Sequence, residues 1–327
     1  NFFFFFRSRF MLRRARLKVD YLLLSGKKLP TALFTFQIDA TERGVIVRDM
    51  FARLYENRYN VLSLTAGFFA RPFGYEINLS SAFRETPERG RMSQTLMPGE
   101  RDLGVMVSFE PQENKHKLYH LKLDAGFFNG QGASGNTDFD SHKDFISRLS
   151  LRPYRMHKLE IGAGLSLLRG GWKNGTKYVW KTTKSNSGTS NFTVDSSEAN
   201  LGKSSPRHYY GADLQFVLHH GWGETELRGE YWFGTQPGTA SSTTNPGTLP
   251  SGNAGPLPTY VRHFNGGFFY FLQNIINDKN QLLLKYDWFD PNQRTGGLAI
   301  GKPGNNFTGA DIRYTTFGAG YIRHLNS

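Results

Sequence analysis

Arg14-Ala15-Arg16-Leu17-Lys18-Val19-Asp20-Tyr21 alternates charged and apolar residues without a break. Tyr119-His120-Leu121-Lys122-Leu123-Asp124-Ala125 does the same much later in the chain. Successive side chains on a strand point to opposite faces, so each stretch has one greasy face and one ionic face. Such a strand suits lipid on one side and water on the other. The pattern is that of a transmembrane antiparallel β-barrel, an all-β fold with an enclosed polar lumen.

Working outward, the same rhythm predicts about thirteen strands. They fall at 11–24, 31–41, 45–57, 61–72, 100–111, 118–129, 143–153, 157–169, 208–221, 223–235, 260–275, 280–289 and 311–325. Short connections at 25–28, 56–60, 112–115, 154–156, 222–223 and 277–279 alternate with long ones at 73–99, 130–142, 170–207, 236–259 and 290–310. Short turns on one rim and long loops on the other are a barrel's signature, and a soluble sandwich gives no reason for them. Connections 170–207 and 236–259, rich in Ser, Thr and Gly with Lys or Pro, read as solvated, mobile extracellular loops. Residues 1–327 form a single barrel domain on this reading, with 73–99 folding inward. Thirteen is odd where bacterial single-chain barrels are even. The chain also opens on Asn1 and five phenylalanines, with no initiator Met, and closes on His324-Leu325-Asn326-Ser327. The expectation is therefore a sequence lacking strands at one or both ends.

Composition narrows the function classes. The 327 residues carry a net charge of +13, 15% aromatic residues and no cysteine. No apolar run of about 18 residues is present, which argues against a helical span. Mean hydropathy of −0.48 does not argue against a barrel, whose strands hide half their polarity in the lumen. Excess Lys and Arg can meet nucleic acid, anionic lipid or an anionic solute. Nucleic-acid binders gather their cations on one patch; here they are spread through successive strands, so no nucleic-acid partner is expected. Enzymatic signals are poor. His219-His220 is a lone adjacent pair pointing to opposite faces, and no serine stands out as an activated nucleophile, so neither catalytic residues nor a metal or cofactor are expected.

Three blocks carry a family likeness: Leu12-Arg13-Arg14-Ala15-Arg16-Leu17, Val47-Arg48-Asp49-Met50-Phe51-Ala52-Arg53-Leu54-Tyr55, and the longer run from Leu64 through Ala66-Gly67-Phe68-Phe69 to Phe73-Gly74-Tyr75-Glu76. With Ser80 through Gly104, Ala125-Gly126-Phe127-Phe128-Asn129-Gly130 and Phe145 to Ser150, they resemble the phosphate-selective porin O/P family of outer-membrane channels. The likeness is strongest over 10–153 and mostly rhythmic beyond. It implies a sixteen-stranded trimeric barrel whose third loop enters the pore, with this chain matching strands two through fourteen. The family's tandem arginines match Arg13 and Arg14, its third-loop arginine matches Arg89, and its constriction aspartate matches Asp49. Two phosphate-contacting lysines align instead with Ile77 and Ala82, and a tyrosine with Arg16. The barrel and cationic lumen carry over; phosphate specificity does not.

Alternation places Arg14, Arg16, Lys18, Arg53, Arg71, Lys122, Arg148, Arg152, Arg228 and Lys285 on the inner wall, with Asp20, Asp39, Asp49, Asp124, Glu160, Asp213, Glu226, Glu230 and Asp287. These charges either satisfy one another across strands or form a track for anions, to which the loop residues Arg84, Arg89 and Arg91 would add. Phe34, Phe36, Leu62, Leu64, Val105, Val107, Leu214 and Leu218 fall on the lipid face, with Tyr210, Tyr231, Tyr286 and Trp288 at the interfaces. Phe268 through Phe271 leave the parity of 260–275 open. The expected function is passive diffusion of small hydrophilic solutes, anions preferred. The expected partners are those solutes, membrane lipid and lipopolysaccharide, and further copies in a homotrimer. The alternative is a plugged barrel serving as scaffold or receptor for a surface lipoprotein, a glycan or an outer-membrane complex.

Overall fold

A computed structural model describes residues 12, 15–26, 29–42, 44–81, 83–135, 138–184 and 190–325. Seventeen strands appear in chain order: β1 (Ala15–Leu24), β2 (Pro30–Thr41), β3 (Gly44–Tyr55), β4 (Leu62–Ala70), β5 (Arg101–Phe109), β6 (Leu121–Phe128), β7 (Asp144–Met156), β8 (Leu159–Lys173), β9 (Val179–Lys184), β10 (Ser190–Asp195), β11 (Ser204–His220), β12 (Gly223–Gly238), β13 (Ser251–Gly252), β14 (Gly255–Pro256), β15 (Thr259–Ile275), β16 (Asn277–Asp290) and β17 (Tyr314–Arg323). One short helix, α1 (Arg91–Leu96), precedes β5.

Thirteen of these strands form one continuous antiparallel meander, β1-β2-β3-β4-β5-β6-β7-β8-β11-β12-β15-β16-β17, and each predicted strand has its counterpart there. Among the described residues β1 and β17 are the two edges of this sheet and do not pair with each other. Period-two alternation explains the wall. Phe34, Leu64, Val105, Leu165, Leu227 and Leu284 are exposed on the outside, while Thr35, Ser63, Thr65, Ser108, Asp124 and Asp213 are buried within. A wall greasy outside and polar inside is that of a transmembrane β-barrel, and the architecture is the one that outer membranes hold. No described helix is long and apolar enough to cross a membrane.

The structure fixes the parity of β15: Phe268, Tyr270 and Leu272 point in, and Phe269 points out. Aromatic residues can sit on the inner face because the chain between β4 and β5 covers them. Near the long-loop end the inner face carries a large apolar cluster beside buried ion pairs such as Arg207 with Asp144 and Arg262 with Asp311, where a water-facing polar lumen was expected throughout. Phe69, Phe128, Ile146, Leu168, Tyr209, Trp232, Phe264 and Phe289, from eight strands, join Phe73, Ile77, Met92 and Leu96 of the 71–100 segment in one core inside the barrel. Here the strands' upper ends face protein, not water.

The long connections also depart from the sequence reading. Within 170–207, β9 and β10 form a hairpin, and β9 adds in parallel to the start of β15 through Thr259↔Val179. Trp180 stacks on Tyr260 at 5.4 Å, and Phe192 and Phe307 complete an apolar cluster there. In 236–259, Gln236, Thr243 and Asn245 are buried. Composition reports the polarity of such a loop but not its partners. These loops pair with barrel strands and with each other instead of lying free in solvent.

Candidate functional site

The inner faces of β1 to β7 and the segment after β4 enclose a cavity of about 630 Å³. Eight cations line it: Arg16, Lys18, Arg48, Arg53, Arg89, Arg101, Lys122 and Arg148. Two carboxylates, Asp49 and Asp124, reach its wall. Ser80, Ser81, Asn78 and Ser150 supply neutral hydrogen-bonding groups.

Most of these cations are paired, and the pairs have a direction. Arg16 grips Asp39 with two bonds of 2.5 and 3.0 Å, Arg148 grips Asp213 with bonds of 2.6 and 3.0 Å, and Lys122 lies 3.3 Å from Asp124. In each pair the cation is the more exposed partner: 29% against 4% for Arg16 and Asp39, and 27% against 8% for Lys122 and Asp124. The carboxylates are rooted in the wall and the positive ends face the cavity. Lys18 leans on Asp20 at 2.7 Å. Arg53 donates to Thr65 Oγ1 at 2.9 Å, and no carboxylate pairs with it among the described residues.

At the top of the cavity four arginines share three carboxylates. Arg48 bridges Asp39 (3.3 Å) and Glu100 (2.7 Å), Arg101 bridges Glu100 (2.8 Å) and Asp49 (3.0 Å), and Arg89 also pairs with Glu100. With Arg16 on Asp39, the cluster carries four positive and three negative charges. Arg48 reaches it through a β-bulge. Gln37 pairs with Asp49 but Ile38 with Val47, so Arg48 is the extra residue and shares the inner side with Asp49. A bulge re-aims one side chain in this way, often beside a functional site. Arg101 arrives because Gly99 (φ +73°) and Glu100 (φ +58°) are left-handed, which turns the chain just before β5.

The segment after β4 crosses the lumen and docks on the opposite wall. Gly74 N–H donates to Ser166 Oγ (2.9 Å), and Tyr75 and Glu76 N–H donate to the Glu230 carboxylate (2.7 and 2.9 Å). Trp232 Nε1–H donates to the same carboxylate at 2.6 Å. Phe73 packs edge-on against Trp232 at 4.8 Å and Tyr209 at 6.0 Å. Only glycine fits at Gly74: its φ is +64°, and a Cβ would meet Glu230 Oε1 at 2.2 Å and Trp232 at 2.6 Å. Farther along, Glu76 receives Gly90 N–H at 2.9 Å and Ser93 Oγ–H, while Glu85 pairs with Arg228 at 2.9 Å.

The residues singled out from sequence divide as follows. Arg16, Lys18, Asp49, Arg53, Arg89, Lys122 and Arg148 converge on the cavity. Arg89 is there as a strut, donating to the carbonyls of Glu76, Ile77 and Leu79. Arg71 does not line the channel. The strand ends at Ala70, the chain turns inward, and Arg71 is 1% exposed, bonded to the Pro98 and Glu100 carbonyls. Arg91 opens α1 and lies over the Tyr314 ring at 4.1 Å, away from the cavity. Arg84 is half-buried in the inward segment and is not part of the cavity wall. Arg14, its neighbour Arg13, and Ala82 lie outside the described residues. Ile77, where the resembled family has a lysine, is in the internal core at 2% exposure. Arg48, Arg101 and Glu100 were missed; the only signal was the doublet Arg48-Asp49, two adjacent charges in a strand that cannot both face water unless a bulge intervenes. His219 contacts Glu224 at 2.8 Å, and no grouping of three metal-ligating side chains occurs among the described residues.

No protein-family model and no curated protein matches the sequence. Among solved structures it is similar to an anion-selective porin from Comamonas acidovorans, at 12% identity over 95% of this chain and 89% of that one, with a TM-score of 0.42. It is similar also to in-vitro folded OmpT, an outer membrane protein of Vibrio cholerae, at 10% identity over 86% and 71%, with a TM-score of 0.43. A third is OccK2 of Pseudomonas aeruginosa in complex with glucuronate, at 11% identity over 95% and 97%, with a TM-score of 0.27. These superpositions are loose, and the reading of the site rests on the chain's own residues.

Proposed function

We propose that this protein is an outer-membrane channel for passive diffusion of small hydrophilic solutes, with preference for anions. One observation carries the reading: a cavity of about 630 Å³ presents eight cations and two carboxylates to water. A wall of ion pairs attracts whichever partner stands in front. For an anion about 4 Å from the cation and about 7 Å from its carboxylate, the net attraction is roughly 0.4 kcal/mol at the dielectric of water and about 2 kcal/mol at an effective dielectric near 20. Several such pairs along one wall give short steps between weak sites, as conduction requires. Arginine suits oxyanions, through planar paired donors that never lose their charge.

The segment 71–100 acts as the constriction in this reading, with Asn78, Ser80 and Ser81 along the edge that lines the cavity. Phosphate as the solute is the finer version, supported by the likeness of the 10–153 blocks to the phosphate-selective porin O/P family. The apolar Ile77 removes one contact that such a site uses. Trimeric assembly rests on the same likeness, and the long loops belong on the extracellular rim. The test is the reversal potential of purified protein in a planar bilayer under a salt gradient, with phosphate added as a blocker. Current carried mainly by anions supports the proposal, and cation preference refutes it.

A second reading has one observation in its favour. The internal core around Phe73, Ile77 and Trp232 fills much of the barrel at the long-loop end. A plugged barrel would act as scaffold or receptor for a surface lipoprotein or glycan. Silent bilayers together with a stoichiometric co-purifying partner would select it.

A further inference from the structure

We propose that the outward face at the long-loop ends of β8, β11, β12 and β15 binds the phosphate headgroup of an anionic membrane lipid. Register places the residues. Arg169 on β8 pairs with His208 on β11, His208 with Thr235 on β12, and Thr235 with His263 on β15. All four share the outward parity of Leu165 and Leu214, so they form one row across the outer surface. Neighbouring strands lie about 4.8 Å apart, which makes the row roughly 15 Å long, the scale of a lipid headgroup. Arg294 follows at the β15 end, where its neighbour Gln293 donates its N–H to the His263 carbonyl at 2.9 Å; one nitrogen of its guanidinium donates to the Thr182 carbonyl at 3.4 Å.

What lies beneath the row decides the occupant. One register step down come Leu167, Tyr210, Phe233 and Asn265. Tyr210 stacks on Phe233 at 5.3 Å, and its hydroxyl accepts from Arg169 at 3.2 Å. Below that, Tyr231 and Trp288 continue an aromatic shelf into the aliphatic belt. Acyl chains lying on that belt bring a headgroup to this height, where aromatic residues mark the interface. A cation here meets phosphate at the edge of the hydrocarbon, where it is worth more than in open water. No carboxylate belongs to the row. The nearest outward ones by register, Asp140 against the Lys173 backbone and Asp290 opposite Asn265, stand outside it. A soluble anion would have no use for the shelf; a lipid uses both.

Native mass spectrometry of the purified protein with phosphatidylglycerol or phosphatidylcholine tests this. The wild type should retain phosphatidylglycerol in preference, and the double substitution Arg169→Gln with Arg294→Gln should weaken that preference by about fivefold for each cation removed. The heat-dependent gel mobility of a folded barrel should not change. Equal retention of the two lipids by the wild type would overturn the proposal without any variant. So would an undiminished preference in the folded double variant, or complete displacement of phosphatidylglycerol by millimolar inorganic phosphate, which would mark a site for the free ion.

Discussion

Substituting Glu230 by Gln should loosen the segment that narrows the lumen. The wild-type carboxylate accepts three N–H groups, from Tyr75 (2.7 Å), Glu76 (2.9 Å) and Trp232 (2.6 Å), and is 3% exposed. An amide has one oxygen to offer; at the Oε1 position it still accepts from Tyr75 and Trp232, while its NH₂ would face the Glu76 N–H. Hydrogen bonds to a charged group are worth about 1.5–3 kcal/mol each. Losing that one bond, less the relief of no longer burying a charge, leaves a deficit of roughly 1–2 kcal/mol. That raises the undocked fraction about 5- to 30-fold, since each 1.4 kcal/mol is about a factor of ten. Phe73 against Trp232 still favours docking, so the segment should make frequent excursions without staying open. Single-channel recordings would show this as larger open-channel noise and a higher mean conductance. Gly74→Ala should reproduce the effect independently, because its Cβ would strike the same carboxylate at 2.2 Å from a left-handed φ of +64°. If both variants fold and both match the wild type in noise and conductance, the docking site does not hold the constriction.

Arg53→Gln should lower the anion-to-cation permeability ratio by about twofold or more, measured as a shift in reversal potential, because no carboxylate among the described residues compensates this cation. Arg16→Gln should do at least as much, since it leaves Asp39 to Arg48 alone and brings the cluster at the top of the cavity to three charges of each sign. Anion preference should stay flat from about pH 5 to about pH 9, because guanidinium keeps its proton throughout; a midpoint near 6.5 would shift the credit to histidines. Val105→Arg, on the outer face, should cost roughly 2–4 kcal/mol in vesicle-based unfolding, and Ser150→Arg, on the cavity wall, under about 1 kcal/mol.

The fold was legible because its rule is local. Two solvents select opposite faces of each strand, and a slip of one residue would exchange them all, so period-two alternation reports both existence and orientation. Leu62, Leu64 and Val105 face out, and Thr65 and Asp124 face in, for that reason. The rule fails where the surroundings change. β15 was ambiguous because its inner face meets protein, so Phe268, Tyr270 and Leu272 satisfy the same apolar criterion as Phe269 outside. The β9–β10 hairpin hid inside a Ser- and Lys-rich stretch because its stability comes from Thr259 and Tyr260, remote in sequence.

The cavity was half legible, and the missing half explains its sign. Alternation supplied Arg16, Arg53, Lys122 and Arg148, but counting the carboxylates of the same parity suggested a wall of nearly balanced charge. Balance is the wrong measure. Depth orders the pairs: Asp39 and Asp124 are rooted in the sheet by short side chains, while the longer arginine and lysine stems carry their charge outward. The bulge at Arg48 and the left-handed pair Gly99-Glu100 then add two further guanidinium groups that no periodic rule could place. An ion entering the lumen meets the longer side chains first. Four arginines against three carboxylates at the top of the cavity therefore act as a positive surface, although their net charge is a single unit.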